Sequence, residues 1–185
     1  MLTTAAAFAG EVPWHERPPV ALRPGDVVLR RGDGVWTEIF IRKASREKRF
    51  SHIGIVTAVS NGVTIVHSEA SDFTGIGSVH ASTWEEFYDG ALESAVFRFR
   101  RGEASARAIA AQAERYRGVP FDPLFDTDST NRLYCTEFVR QAVNVGLGTN
   151  LVGTTLCDGR RIVTFDDICG AGFDRIYDSL GLKPK

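Results

Sequence analysis

Apolar residues recur along the chain at two spacings, and the changes between them divide it into elements. Short apolar runs or alternation predict strands at residues 27–29, 51–59, 63–69, 77–81 and 95–100. Helical spacing marks residues 35–44, where Trp36, Ile39, Phe40 and Ala44 share a side. Ser82-Thr83-Trp84-Glu85 predicts a capping box that opens a short helix ending at Tyr88. Residues 103–117 predict an Ala-rich helix with Gly118 placed to end it. Residues 134–145 predict another, on which Phe138, Val139, Ala142, Val143 and Val145 form the stripe that faces the core. Weaker strand and helix signals follow Gly146. Strands come first, with helices inserted and appended, which predicts an α+β fold on a largely antiparallel sheet.

Prolines 13, 18, 19 and 24 make residues 1–23 an extended lead-in rather than a packed element. Residues 24–185 are then expected to form a single domain. Within it Asn61-Gly62 is a strong hairpin signal. A two-residue turn there sets Glu69 opposite Gly54 and His67 opposite Val56. His52, His67 and Glu69 would then project from one face of the sheet, because side chains alternate along a strand.

Composition narrows the class. The 185 residues are 43% hydrophobic and 10% aromatic, with a net charge of −1. Such a chain can build a core without staples, and its balanced charge predicts no nucleic-acid partner. No apolar run reaches the length of a membrane span. Residues 1–10 are small and apolar but carry no Lys or Arg, so the sequence as written reads as cytoplasmic. The basic run at residues 42–49 (RKASREKR) reads as a solvated helix end, or as a site for an anionic substrate or a membrane surface.

Three cysteines, Cys135, Cys157 and Cys169, allow at most one disulfide, so at least one thiol is free or pairs between chains. No Cys-x-x-Cys, phosphate loop, Gly-x-Ser-x-Gly or His-Glu-x-x-His is present. No cofactor or metal is expected. Asp126, Asp128 and Asn131 only faintly match a calcium loop, and the spacing of His52, His67 and His80 matches no specific metal motif. Cys157 and Cys169 read as ordinary buried or loop thiols.

Cys135 is different. It begins a helix directly after a polar loop, on the stripe of Phe138 and Val139. A thiol there is either a small buried hydrophobe or a nucleophile. In the second reading, the first-turn N–H groups lower its pKa and supply donors for an oxyanion. His52 opens a strand and Glu69 is its diagonal neighbour across the hairpin, the arrangement of base and orienter. His67, one step further along, is the second candidate for orienter.

Four segments together resemble the permuted papain-like amidases of the NlpC superfamily, of the YiiX type. They are Pro24-Gly25-Asp26-Val27-Val28, Ser51-His52-Ile53-Gly54-Ile55-Val56, Ser68-Glu69-Ala70 and Tyr134-Cys135-Thr136-Glu137-Phe138-Val139. Tyr116-Arg117-Gly118-Val119-Pro120-Phe121-Asp122 is similar too, and the resemblance spans residues 24–145. His52 precedes Cys135, as a circular permutation of the papain order would produce. The resemblance implies Cys135 as nucleophile, His52 as base and Glu69 as orienter. It also implies that Tyr134 lines the oxyanion site, and His67 is a further candidate for the substrate-lining side. Glu137 matches the motif without an assigned role. Relatives run apolar residues straight into the acidic one, so the extra His67 leaves the third member open between Glu69 and His67.

The expected function is amide hydrolysis on a cell-wall-type peptide or related small amide. The alternatives are a lipid-directed acyltransferase or thioesterase using the same site, and a non-catalytic binding module. A membrane surface is a weaker expected partner, through residues 42–49.

Overall fold

The computed structural model describes residues 13–32, 47–71, 73–129 and 131–182. Among them the strands are β1 (Val27–Arg31), β2 (His52–Ala58), β3 (Thr64–Ala70), β4 (Gly77–Thr83), β5 (Glu93–Phe99), β6 (Thr155–Cys157), β7 (Arg160–Ile162) and β8 (Phe173–Asp178). The helices are α1 (Trp84–Tyr88), α2 (Glu103–Arg115), α3 (Cys135–Leu147) and α4 (Phe165–Cys169). One antiparallel sheet runs β4-β3-β2-β1-β5-β8, with β6 and β7 as a separate hairpin. The α+β architecture is therefore as expected. The helix predicted over 35–44, residues 1–10 and most of the basic run lie outside the described residues.

The period of two gives the sheet two apolar faces. Val27, Leu29, Ile53, Ile55 and Val66 meet Ile109 and Ala113 of α2 and Phe138, Val139 and Ala142 of α3. Val28, Val56, Ile65 and Val96 meet Trp84, Phe87 and Tyr88 of α1 on the other side. Helix α1 is too short to cover that face, and the lead-in completes the cover. Trp14, Val20 and Leu22 pack there, and the Trp84 Nε1–H donates to the Trp14 carbonyl at 2.9 Å. The lead-in is thus a packed element from Trp14 onward, contrary to the expectation from its prolines. Val145 also departs from expectation and is exposed. At that turn α3 presents Gly146 to α2, so closely that a Cβ would stand 2.9 Å from the Ala108 carbonyl oxygen.

Two polar clasps hold the frame. Asp26, in the Pro24-Gly25-Asp26 turn, is buried and takes Arg98 through two bonds of 2.9 and 2.8 Å. Arg49, the last residue of the basic run, grips Asp178 through bonds of 2.8 and 3.0 Å and Glu93 at 2.7 Å. Its guanidinium is tied to the sheet rather than offered to a partner.

Candidate active site

The β2–β3 hairpin pairs two residues away from its expected register. Val56 faces Ile65 and Ile55 faces Val66, with a shift between Val56 and Ala58. Ala58 already pairs with Thr64, so the tip is longer than Asn61-Gly62. Continued along the strands, this register sets His52 across from Glu69 and Gly54 across from His67. A displacement of two keeps the side-chain parity, so the three side chains still share a face. It is the face of Phe87, whose ring centroid lies 5.6 Å from that of His52 and 5.1 Å from that of His67.

At this end the sheet opens. Pairing of β2 with β3 stops at Ile55 and Val66, while Arg30 stays paired with His52 and Ser68, Glu69 and Ala70 stay paired with β4. The start of α3 is anchored at the opening from the other face. The Ser68 hydroxyl donates to the Leu133 carbonyl at 2.5 Å, and the Leu133 N–H donates to Pro120 at 3.0 Å. Residues 118–121 run beside β4, with Val79 and Gly118 exchanging bonds with their neighbours at 2.8 Å. The Tyr116–Asp122 motif thereby delivers the chain to Cys135.

The polar groups form a relay. His52 Nε2 lies 2.8 Å from His67 Nδ1, and His67 Nε2 lies 3.0 Å from Ser82 Oγ. Glu69 stands 3.9 Å from His52 Nε2 and 3.8 Å from His67 Nδ1, and its Oε1 is held by Arg30. His67, not Glu69, therefore makes the hydrogen bond to His52. With Nε2 of His52 engaged by His67, Nδ1 is its remaining ring nitrogen. Burial, reinforced by the Arg30 charge, holds the His52 imidazole well below its usual value. Burial and the neighbouring His52 do the same to His67, and both rings rest neutral at pH 7.

Cys135 is 3% exposed. Burial pushes its thiol up to about 12, against the opposing pull of the Thr136 N–H and its own N–H. The expected lowering by the helix start is present but is outweighed by desolvation. Glu69 and Arg30 act electrostatically on the thiol, and Arg30 acts on His52 as well. Among the described residues no hydrogen bond joins Cys135 to His52, and burial leaves both the thiol and the imidazole neutral at rest.

The two expected lining residues are both buried. Tyr134 is buried, and its hydroxyl accepts the Val163 N–H at 2.8 Å. That bond, with the Thr136 hydroxyl on the Val163 carbonyl at 2.7 Å, ties the start of α3 to the segment before α4. The Tyr134 hydroxyl thus helps to hold the start of the helix in place. His67 is 1% exposed and sits between His52 and Ser82. Of the three histidines considered for metal binding, His80 bonds the Ser78 carbonyl at 2.9 Å. The groups whose ligand atoms converge within 4.8 Å are His52, His67 and Glu69. Cys135, Cys157 and Cys169 form no disulfide.

Sequence reasoning missed Arg30, Ser82 and Phe87. Arg30 is paired directly across from His52 in β1, a position that strand parity alone could have flagged. The sequence predicts Ser82 as the helix cap. The box instead uses Thr83, whose side chain accepts from the Glu86 N–H, with the Glu86 carboxylate accepting from the Thr83 N–H. Ser82 is free for His67 because the cap lies one residue later. Glu137 is fully buried, and neither carboxylate oxygen has a hydrogen-bond partner. Burial and the charge of Asp122 push it up to about 8.

A cleft of about 570 Å³ opens at Glu69, Ser71, Phe73, Ile76 and His80. Phe73 is 99% and Ile76 77% exposed on its rim.

Comparison with known proteins gives the fold its family. The chain matches, over residues 21–162, the model of the family described as permuted papain-like amidase enzyme, YaeF/YiiX, C92 family. Among solved structures it is similar to the metalloprotein yiiX from Escherichia coli O157:H7, with a TM-score of 0.70 and 17% identity. That likeness covers 88% of this chain and 98% of the other, and it shows the shared fold. No curated protein matches. No helix among the described residues is long and apolar enough to cross a membrane.

Proposed function

Since the chain belongs to the permuted papain-like amidase family, we propose that it is a cysteine hydrolase that opens an amide bond through an acyl-enzyme on Cys135. The observation that carries this reading is the relay from Ser82 through His67 to His52, which leaves Nδ1 as the free basic nitrogen of His52. Its working tautomer has His67 Nε2–H donating to Ser82 and His52 Nε2–H donating to His67. The lone pair of His52 Nδ1 is then available to the thiol.

The substrate carbonyl is placed at the start of α3, where first-turn N–H groups have no acceptor within the helix. Those of Cys135 and Thr136 are the donors for the developing oxyanion. As the sulfur bonds to the carbonyl carbon, its proton passes to His52 Nδ1. The imidazolium is stabilised by His67 and by the charge of Glu69, and it then protonates the leaving amine. Water attacks the thioester, gives a proton to His52 and releases the acid, and the thiol is restored. Because both groups rest neutral, transfer occurs with attack rather than before it. Cell-wall-type peptides and related amides are the substrate class proposed.

The test is labelling with a thiol-reactive amide analogue, located by mass spectrometry. Labelling at Cys135 that is lost in Cys135→Ala, together with loss of turnover in Cys135→Ser, is expected. Unchanged turnover in those variants overturns the proposal.

The exposed Phe73 and Ile76 favour a second reading for the acyl side, a substrate carrying an apolar chain. A series of anilides with lengthening acyl chains tests it. Falling KM with chain length supports this reading, and an effect that persists in Phe73→Ser counts against it.

A further inference from the structure

His52, His67 and Glu69 bring three ligand atoms of one chemical set, two imidazole nitrogens and a carboxylate oxygen, to a single point. Tetrahedral zinc with bonds of about 2.0–2.2 Å separates its ligand atoms by about 3.3 Å. The separations here are 2.8 Å between His52 Nε2 and His67 Nδ1, 3.9 Å from His52 Nε2 to Glu69 Oε1, and 3.8 Å from His67 Nδ1 to Glu69 Oε2. The two separations between the proposed ligand atoms, 2.8 and 3.8 Å, each lie about half an ångström from the tetrahedral edge, while the 3.9 Å contact to His52 is made by Oε1, the oxygen that Arg30 holds, so the carboxylate must turn to bring Oε2 towards His52. The histidines need to part slightly and the carboxylate to close slightly.

The surroundings have what a metal site requires behind its ligands. A ligating histidine holds its other ring nitrogen on a fixed partner, and His67 Nε2 has Ser82 Oγ at 3.0 Å. A ligating carboxylate is itself hydrogen-bonded, and Glu69 has Arg30 on Oε1, leaving Oε2 for an ion. The route from solvent also exists. The Glu69 side chain is 37% exposed and lines the 570 Å³ cleft. Two imidazoles with one carboxylate select zinc and its neighbours in the transition series over magnesium or calcium, which take oxygen ligands.

We propose that His52 Nε2, His67 Nδ1 and Glu69 Oε2 form a reversible Zn²⁺ site that switches the cysteine hydrolase off. The inhibitory part rests on the hydrolase reading above. The cause is a tautomer exchange with no net change in protons. In the working state the His52 proton sits on Nε2, between the two rings. Zinc requires the lone pair at that position, so the proton moves to Nδ1. Nδ1 is the nitrogen that must accept the thiol proton, and once protonated it cannot. Zinc binding and thiol activation are therefore mutually exclusive states of one imidazole.

The experiment titrates the full chain with Zn²⁺ against a chromophoric chelator, and with Co²⁺ by visible absorption, for the native protein and Cys135→Ala. One equivalent with a tetrahedral Co²⁺ spectrum is expected in both, without a thiolate charge-transfer band. Glu69→Gln should weaken Zn²⁺ binding by about tenfold or more. In ¹⁵N spectra of the native protein, which has four histidines, zinc should move the His52 proton from Nε2 to Nδ1 and shift His67 Nδ1. Half-inhibition of turnover should coincide with half-occupancy and be reversed by chelator.

Absence of one-equivalent binding, or zinc perturbing only His15 or His80, overturns the site. Full activity of the zinc-saturated protein overturns the switch and leaves the hydrolase reading standing. Turnover that survives in Cys135→Ala overturns the hydrolase reading, while the titration and the ¹⁵N spectra still judge the site.

Discussion

His52 Nε2 and His67 Nδ1 face each other at 2.8 Å, and the second nitrogen of His67 is spoken for by Ser82 at 3.0 Å. The orientation of the candidate base is therefore set by a buried histidine. The nearby carboxylate of Glu69 contributes charge from 3.9 Å without a hydrogen bond.

Replacing these two residues separates the roles. His67→Ala is expected to lower kcat by about 10²-fold with little change in KM, because the base loses its tautomer and its orientation. Glu69→Gln should cost less than about tenfold, since its charge is partly exposed and shared with Arg30. Steady-state kinetics on a chromogenic amide checks this. The reverse order of losses would make Glu69 the orienter.

The thiol offers a second measurement. With Cys135 pushed up to about 12 by burial, its alkylation by iodoacetamide, followed by mass spectrometry, should keep rising through pH 9 and 10. A plateau near pH 7 would reveal a resting thiolate and contradict the neutral pair. The acid limb of kcat/KM should fall below the usual histidine value, since burial holds His52 down.

Glu137 makes stability depend on pH in a defined sense. Its folded value of about 8 lies above the ordinary carboxylate value of 4.5. Between the two the folded state keeps a proton that the unfolded chain has released, so stability falls as pH rises through that window. The Asp122 and Asp126 charges work with burial, and Arg140 works against it. Glu137→Gln should flatten this slope and raise the urea midpoint at pH 8 relative to the native protein. An unchanged slope between pH 5 and 8 would refute the assignment.

Gly77 guards the position of Glu69. A Cβ there would stand 1.9 Å from the Glu69 carbonyl oxygen. Gly77→Ala must push β3 and β4 apart beside the site, at a cost of about 3 kcal/mol. A clear fall in Tm is the expected result, and an unchanged Tm would show that the strands yield freely.

Much of the site was legible in the sequence because it rests on periodicity. The apolar stripe of Phe138, Val139 and Ala142 places Cys135 at the start of a core helix. The two-residue alternation of strands puts His52, His67 and Glu69 on one face. That inference survived a register displaced by two residues, since parity is unchanged by any even shift. The choice between His67 and Glu69 was not legible, because it turns on about an ångström of separation set by the pairing of three strands.

Local sequence determined which residues could act and which way each would point. Tertiary structure decided what each one meets. The opening between β2 and β3, the Arg30 charge beside His52 and the release of Ser82 to His67 all depend on segments distant in the chain. So does the state of Cys135. The helix-start effect that favours a thiolate is local and visible in the sequence. The desolvation that overrides it is summed over the whole core and exists only once the chain has folded.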